Sequence, residues 1–258
     1  MDIVRYSTKE QIAVITINRP EKRNALNQEV VQKLKEAFRM AASDQQVKVI
    51  ILKGAGSTFC SGADLKYIQD LQNYSHEENV KDSSELMELF KQIYTTPKPV
   101  IAEVHGAALA GGCGLVSVCD FAFCTTESRF GYTEVRIGFI PAIVMVFLIR
   151  KIGEAKAKRF LLSGEIFDCE TAKKAGLIYD YFEEDDDLED FVMDFGRNLC
   201  QQNSSTAMAM TKDLLIRIQD QPMDQALQTA MVYNAEARKT NDCKKGIGAF
   251  LNKEKPVW

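Results

Sequence analysis

The sequence predicts an α/β fold, because short β-branched segments alternate with segments of helical periodicity along the first part of the chain. Each predicted strand is four to six residues long and ends at a glycine, proline or polar residue that breaks it. Strands separated by helices pair mostly in parallel. The predicted strands are residues 12–17, 47–52, 100–104 and 121–124.

The first predicted helix shows why the intervening segments are assigned as helical. Val30, Leu34 and Phe38 recur four positions apart with charged residues between them, which places one apolar stripe along a helix. Asn27 stands before this stripe and is a good N-cap. The other predicted helices cover residues 85–94, 111–118, 154–162, 169–175, 208–218 and 223–238.

Composition excludes several classes of protein. The chain has 258 residues, a net charge of −4, 46% hydrophobic and 26% charged residues, as expected of a globular protein that can bury a large core. The negative charge argues against nucleic acid as the main partner. The longest apolar run, residues 137–149, is interrupted by Gly138 and Pro141 and is too short to span a bilayer, so we expect no membrane partner.

Cysteine usage and the N-terminus indicate a cytoplasmic protein. The chain has seven cysteines, an odd number, and no C-x-x-C pair, so reduced thiols are expected. With two histidines, neither at ligand spacing from a cysteine pair, no zinc site is predicted. Residues 1–5 do not begin a secretory signal.

The part of the chain after about residue 150 reads as a helical extension of the same unit, because strand signals become rare there. No repeat or long linker separates it from the first part. The acidic stretch at residues 183–187 is expected to be a solvated loop, since calcium-loop spacing is absent.

Three segments beyond predicted strand ends are candidates for a functional site. Residues 54–65 form a glycine-broken loop before a helix at Asp64, where free N–H groups attract an anion or a polarised oxygen. A dinucleotide fingerprint fails because Phe59 replaces the third glycine. Residues 105–114 hold four glycines at a helix start, which suit either a ligand or close helix packing.

The third segment, residues 130–141, contains a lone carboxylate in apolar surroundings, Glu134. Desolvation would raise its pKa and make it a general acid or base, whereas an ion pair with Arg136 is the simpler alternative. Serine-nucleophile chemistry has little support, since no G-x-S-x-G occurs. His105 is expected to be structural, and the cysteines to be inert core thiols.

Together these segments resemble the enoyl-CoA hydratase/isomerase (crotonase) superfamily nearly end to end. Several motifs in one order carry the resemblance. They are Asn18-Arg19-Pro20, Asn24-Ala25-Leu26, Phe59-Cys60-Ser61-Gly62-Ala63-Asp64-Leu65, Lys98-Pro99-Val100-Ile101-Ala102, Gly111-Gly112-Cys113, Cys119-Asp120, Phe130-Gly131-x-x-Glu134, Gly138-x-Ile140-Pro141 and Ala172-Lys173-Lys174-Ala175-Gly176-Leu177.

The resemblance implies a crotonase-like fold of repeated ββα units with a helical C-terminal region. It divides the chain into an acyl-CoA-binding core, residues 1–195, and a helical trimerisation region, residues 196–258. It also implies an acyl-CoA thioester as substrate and a homotrimer or homohexamer. Coenzyme A enters as part of the substrate, and no other cofactor is implied.

Residue by residue, the resemblance implies an oxyanion hole made by the backbone N–H groups of Ala63 and Gly111, with Glu134 as acid/base. Such donors suit reactions that pass through a thioester enolate. The implied coenzyme A contacts are Lys22, Arg23, Ala25, Ala63, Asp64, Leu65 and Lys66, with Lys253 reaching the nucleotide end from a neighbouring subunit.

The chain departs from the hydratase pattern at two places. Hydratases of this family carry a second glutamate directly after Gly-Gly-Cys, where this chain has Gly114. Tyr132 is a conceivable substitute for it. After Pro141, an apolar helix replaces the usual glycines, and we expect it in the core, against the acyl group or in a subunit interface.

The predicted function is hydration of a short or branched 2-enoyl-CoA, of which 3-methylglutaconyl-CoA is one example. A lone glutamate also suits a 1,3-proton shift, and decarboxylation needs only the oxyanion hole and a proton source, so isomerase and decarboxylase are the alternatives. A different class, a non-catalytic acyl-CoA-binding protein, remains the third.

Overall fold

The protein folds around a six-stranded sheet and a smaller three-stranded sheet, and the computed structural model describes residues 2–258. The large sheet has the order β1-β2-β3-β4-β6-β9, and the small sheet has the order β5-β7-β8. The strands are β1 (Val4–Lys9), β2 (Ile12–Ile17), β3 (Val49–Gly54), β4 (Val100–Val104), β5 (Ala107–Leu109), β6 (Phe121–Thr125), β7 (Arg129–Gly131), β8 (Ile166–Asp168) and β9 (Asp180–Phe182).

Eleven α-helices occur in this part of the chain. They are α1 (Gln28–Ser43), α2 (Leu65–Leu71), α3 (His76–Thr95), α4 (Gly111–Val118), α5 (Ala142–Ile152), α6 (Glu154–Ser163), α7 (Cys169–Ala175), α8 (Asp185–Gln202), α9 (Ser205–Ile218), α10 (Met223–Ala237) and α11 (Asn241–Leu251).

The mixed α/β architecture and its ββα repetition are as predicted. Two strands followed by a helix recur as β1-β2-α1, β4-β5-α4 and β6-β7-α5. In the last two units the first strand joins the large sheet and the second joins the small one. Pairing in the large sheet is parallel except between β1 and β2. The carboxyl ends of β3, β4 and β6 therefore meet at one edge, which receives the loops of the site.

The core lies on both faces of the large sheet. One face packs against α1, α3 and α4 through residues such as Leu34, Phe38 and Phe90, all fully buried. The other face is covered by α8, whose Leu188 and Val192 contact β-strand side chains. Burial on both faces explains why β3 and β4 are mostly apolar rather than alternating; their charged residues, Lys53 and Glu103, pair with each other at 2.7 Å.

Most sequence-predicted elements are confirmed, with small shifts at their ends. Asn27 caps α1, because its side chain accepts a hydrogen bond from the Val30 amide at 3.0 Å. The second predicted strand, residues 47–52, corresponds to β3, which begins and ends two residues later. α3 begins nine residues before the predicted start at residue 85, where Ser75 and Glu78 form a capping box.

The prediction of a solvated loop at residues 183–187 is confirmed for residues 183 and 184 and wrong for residues 185–187. Residues 185–187 form the first turn of α8, although the whole stretch is solvent-exposed. Three aspartates suit this position because the positive end of the helix dipole favours negative charge. The division at residue 195 falls inside α8, so the two units share one helix; that division remains a prediction.

The last three helices are less buried than the rest of the chain. No residue of α9, α10 or α11 is buried in the isolated chain. Large apolar side chains on them are exposed, among them Leu227 at 62% and Phe250 at 81%. A surface of this kind is typical of a region that packs against another protein.

All seven cysteines are free thiols. Six of the seven cysteines are buried and Cys243 is partly buried; none forms a disulfide. Across residues 2–258, no three His, Cys, Asp or Glu side chains gather in a group that could hold a metal ion. In the same range, no helix combines the length and apolar character needed to cross a membrane.

Candidate active site

The first part of the site is a backbone amide left free by strand-like pairing. Leu26 donates its amide to the Gly62 carbonyl at 2.7 Å and accepts from the Asp64 amide at 2.8 Å. Leu26 thus pairs with both neighbours of Ala63, and in an extended chain the polar groups of Ala63 then face the opposite side. Among the described residues, the Ala63 N–H donates no hydrogen bond.

The second free amide belongs to Gly111, the first residue of α4. A helix leaves its first N–H groups without intrahelical acceptors. Ala110 before it has φ 49° and ψ −121°, an unfavourable conformation for alanine, and is held there by donating its amide to the Gly131 carbonyl at 2.7 Å. A Cβ built on Gly62, whose φ is +91°, would lie 3.5 Å from the Gly111 nitrogen. The loop carrying Ala63 therefore touches the start of α4.

Asn24 and Arg19 hold this arrangement together, and sequence reasoning did not assign them to the site. The fully buried Asn24 amide donates to the carbonyls of Ala55 and Thr58 and accepts from the Arg19 amide. The Arg19 guanidinium donates to the Ala25 carbonyl at 2.7 Å and lies 3.3 Å from Asp64. Both residues stand in quoted motifs, which was the available signal.

Glu134 is a buried carboxylate without a cationic partner among the described residues. It opens a short 3₁₀ helix, Glu134–Ile137, and is 9% exposed. Its Oε2 has no hydrogen-bond partner within the described chain. Burial raises its pKa, and a hydrogen bond from its own amide only partly offsets this. The ion pair with Arg136, the simpler alternative, is wrong, because Arg136 is exposed and forms no salt bridge here.

The carboxylate lies near the start of α4. Its charge contributes to the raised pKa values of the Cys113 thiol and the Tyr132 hydroxyl, for which burial is the larger cause. The segment before Glu134 is bonded to the start of α4, because the Ala110 amide donates to the Gly131 carbonyl at 2.7 Å and the Tyr132 hydroxyl donates to the Cys113 carbonyl at 3.4 Å. A desolvated acid/base beside free N–H donors can move a proton next to a developing oxyanion.

Tyr132 does not replace the missing carboxylate. Its side chain is fully buried, and its hydroxyl donates to the Cys113 carbonyl at 3.4 Å. A hydroxyl enclosed in this way is not available to hold a substrate water. The suggestion that it substitutes for the residue absent at position 114 is therefore wrong.

Position 114 has no room for a side chain. A Cβ on Gly114 would lie 2.3 Å from Cγ1 of Val144 and 2.8 Å from Cε1 of Phe90. Both distances are far inside van der Waals contact. The absence of a glutamate is thus matched by filled space, which the sequence alone did not reveal.

The helix after Pro141 is buried against the core on one face, as one of the three expected environments requires. Val144, Leu148 and Ile152 of α5 are buried against the core. Val146 and Ile149 on the opposite side are 46% and 39% exposed in the isolated chain. Of the three environments considered, core burial holds for one face only.

The structure places most of the implied coenzyme A contacts together. The segment holding Lys22, Arg23 and Ala25 lies against the Ala63 loop, since the Ser61 amide donates to the Arg23 carbonyl at 3.0 Å. Lys22, Leu65 and Lys66 are exposed. The Asp64 carboxylate pairs with Arg19 and accepts from the Lys66 amide as N-cap of α2, which gives it a structural task.

Lys253 lies elsewhere, after α11, in a left-handed conformation with φ 59°. The helix before it packs against α9, so in a single chain it is not part of this cluster. A cleft of 1350 Å³ also lies in that region, between α9, α10 and the edge of the core. None of Ala63, Gly111 and Glu134 lines it.

Fold and site together define a class: an α/β protein of ββα units in which two loop amides meet a desolvated carboxylate. The sequence family described as "Enoyl-CoA hydratase/isomerase" matches residues 7–258, nearly the whole chain. The chain belongs to the enoyl-CoA hydratase/isomerase family, as the sequence motifs predicted.

Two relatives and a solved structure align with this chain over nearly their whole length. A Thermus thermophilus protein named "Putative enoyl-CoA hydratase" is 38% identical over 251 residues, covering 96% of this chain and 97% of the relative. The peroxisomal Delta(3,5)-Delta(2,4)-dienoyl-CoA isomerase of Arabidopsis thaliana is 28% identical, covering 99% and 95%. The crystal structure of an enoyl-CoA hydratase from Mycobacterium smegmatis superposes with a TM-score of 0.93 at 30% identity, covering 100% and 99%.

Proposed function

We propose that this chain is a hydro-lyase that adds water across the C2=C3 bond of a short or branched 2-enoyl-CoA thioester. The observation that carries the proposal is the buried carboxylate of Glu134, whose Oε2 has no hydrogen-bond partner, on a segment bonded to the start of α4, where the amide of Gly111 is free and the Ala63 loop is in contact. Membership of the family supplies the thioester substrate class. Acyl groups of the 3-methylglutaconyl type are included.

In this mechanism the two amides would donate hydrogen bonds to the thioester carbonyl oxygen. Ionised Glu134 takes a proton from a water molecule, and the water oxygen forms a bond to C3. The π electrons of the C2=C3 bond move to give an enolate, whose oxygen the amides stabilise. Protonated Glu134 then returns its proton to C2, so one water is added and the carboxylate is regenerated.

The binding part of the proposal assigns Lys22, Arg23, Ala25 and the loop of residues 63–66 to the coenzyme A moiety. Exposed cations beside a loop amide suit phosphate groups. Apolar α5 supports a hydrocarbon acyl chain. No resident cofactor is needed, because every proton transfer above uses Glu134 and water.

We further propose a homotrimer or homohexamer in the cytoplasm, with Lys253 of one subunit reaching the nucleotide end of coenzyme A bound to another. The exposed apolar side chains of α9, α10 and α11 support such an assembly.

A second candidate keeps the thioester and changes the chemistry. The glycine at position 114 leaves Glu134 as the acid/base, which suits a 1,3-proton shift, in which one base removes and returns a proton. Decarboxylation of a malonyl-type thioester needs only enolate stabilisation and a proton donor.

The deciding experiment is a substrate panel read by mass spectrometry. Purified protein is incubated with crotonyl-CoA, 3-methylglutaconyl-CoA, a 3-enoyl-CoA and a malonyl-type thioester. A product heavier by one water supports the hydratase; an isomer or loss of carbon dioxide supports the second candidate. Binding of thioester without any turnover would leave only an acyl-CoA-binding protein.

A further inference from the structure

Two glycines of α4 share a face that borders the site. Gly111 supplies the free amide, and Gly114 follows it three residues later, so both project to the same side of the helix. The segment that leads into Glu134 is bonded to this end of the helix, because the Tyr132 hydroxyl donates to the Cys113 carbonyl at 3.4 Å and the Ala110 amide donates to the Gly131 carbonyl at 2.7 Å. A side chain at position 114 would therefore stand on the same helix face as Gly111, close to the segment that carries Glu134.

That position is closed by side chains from two other helices. Val144 of α5 is 4% exposed and Phe90 of α3 is fully buried, and both would overlap a Cβ at residue 114. Val144 is β-branched and has one strongly preferred rotamer in a helix. Phe90 packs on Phe147 with ring centroids 6.2 Å apart, which limits its ability to move aside.

We propose that Val144, supported by Phe90, determines the reaction specificity of the site by excluding a second acid/base side chain from position 114. This inference rests on the proposed function. With position 114 closed by apolar atoms, water and proton transfer are confined to the side of Glu134. The site therefore works with one carboxylate that must both take and return the proton.

The first test is a double-mutant cycle on stability, which does not depend on activity. G114A should lower Tm by about 5 °C, because the added Cβ overpacks a rigid junction. V144G removes the two nearest Val144 atoms, Cγ1 and Cβ, leaves Cε1 of Phe90 at 2.8 Å, and should have its own cost. In G114A/V144G the decrease in Tm should be clearly smaller than the sum of the decreases in the two single variants. Additive decreases in Tm would overturn the packing argument.

The second test compares G114E/V144G with G114Q/V144G, which have the same shape and differ in one ionisable group. The glutamate variant should hydrate crotonyl-CoA at least about 10-fold faster than the glutamine variant. Its pH–rate profile should gain a second ionisation. Equal rates and profiles, in variants with the same circular dichroism as wild type, would overturn the assignment to Val144.

These outcomes separate the inference from the proposed function. Hydration absent from the wild type but present in G114E/V144G would support the role of Val144 and remove the proposed hydratase activity. Hydration by the wild type with no difference between the glutamate and glutamine variants would support the proposed hydratase activity and overturn the role of Val144. Hydration absent from every variant would overturn both.

Discussion

Two buried carboxylates, Glu103 and Glu134, have opposite surroundings. Glu103 on β4 is 4% exposed and lies 2.7 Å from the Lys53 ammonium, which also reaches Glu189 at 3.0 Å. Glu134 is 9% exposed and has no cationic partner in the described chain. Burial raises the pKa of both, although Lys53 acts against this at Glu103. A buried carboxylate that folding alone would disfavour, such as Glu134, indicates a chemical task.

The most direct test of this difference replaces each carboxylate with an uncharged amide of the same shape. E134Q should lower kcat for the enoyl-CoA substrate by about 10²–10⁴, because the acid/base is lost. Its Tm should stay equal or rise, since an unpaired buried charge is removed. Steady-state kinetics and thermal unfolding measure the two effects.

E103Q is the matched control. It should keep activity near that of the wild type and lower stability by about 1–3 kcal/mol, because the Lys53 ammonium loses its nearer carboxylate. Full activity in E134Q, or lost activity in a folded E103Q, would reverse the roles given to the two residues.

The next effect concerns the amide of Ala63. A63P removes the N–H while leaving the paired groups of Gly62 and Asp64 in place. Loss of one oxyanion donor should lower kcat by about 10²–10³ with little change in Tm. A63V adds similar bulk but keeps the amide, so its kcat should exceed that of A63P by at least about 10-fold. Similar rates in the two variants would exclude Ala63 as a donor.

A smaller effect is the pH dependence that follows from the raised pKa of Glu134. Since the base form must be ionised, the acid limb of kcat/KM should have its midpoint above 4.5, the ordinary value for glutamate. Folded protein binds this proton more tightly than unfolded chain. The stabilisation is therefore fully present below the unfolded pKa and is lost as pH rises through the folded pKa.

E134Q removes this dependence and serves as its control. The Tm of E134Q minus that of the wild type should increase as pH rises above 4.5 and then level off. An acid limb at or below the ordinary value, or a Tm difference that falls with rising pH, would contradict a desolvated Glu134.

The smallest expected effect concerns Asp64, whose carboxylate pairs with Arg19 at 3.3 Å. D64N keeps the helix-capping oxygen and removes the charge, so stability should fall by about 1 kcal/mol or less. KM for the thioester should rise a few-fold as the loop loosens, with kcat nearly unchanged. A large fall in kcat would give this carboxylate a more direct part in the chemistry than capping.

The sequence predicts the buried strands and the amphipathic helices because their periodicity is local. The short strands β5, β7 and β8 were missed, since three-residue segments carry little pattern and form through pairing with each other. β1 was missed because it is an exposed edge strand with alternating polar residues. The acidic start of α8 was mistaken for a loop because charge favours a helix N-terminus as well as solvent.

The candidate site likewise has features that local sequence patterns predict and features that depend on tertiary contacts. Motif spacing predicts Ala63, Gly111 and Glu134 as site residues, and the structure brings the segments that carry them into contact. The closure of position 114 depends on Val144 and Phe90, which are 30 and 24 residues away in the chain and meet only in the folded state. Tertiary contacts of this kind leave no local trace in a sequence.

The buried cysteines provide a way to watch this protein open. Burial raises the pKa of Cys60, Cys113 and Cys119 to about 12, so their reactive thiolate forms are scarce in the native state. Cys60 and Cys113 flank the two free amides, and alkylation of either requires the loops of the site to separate. The rate at which each of these sulfurs is labelled, resolved by peptide mass, therefore reports how often the site comes apart.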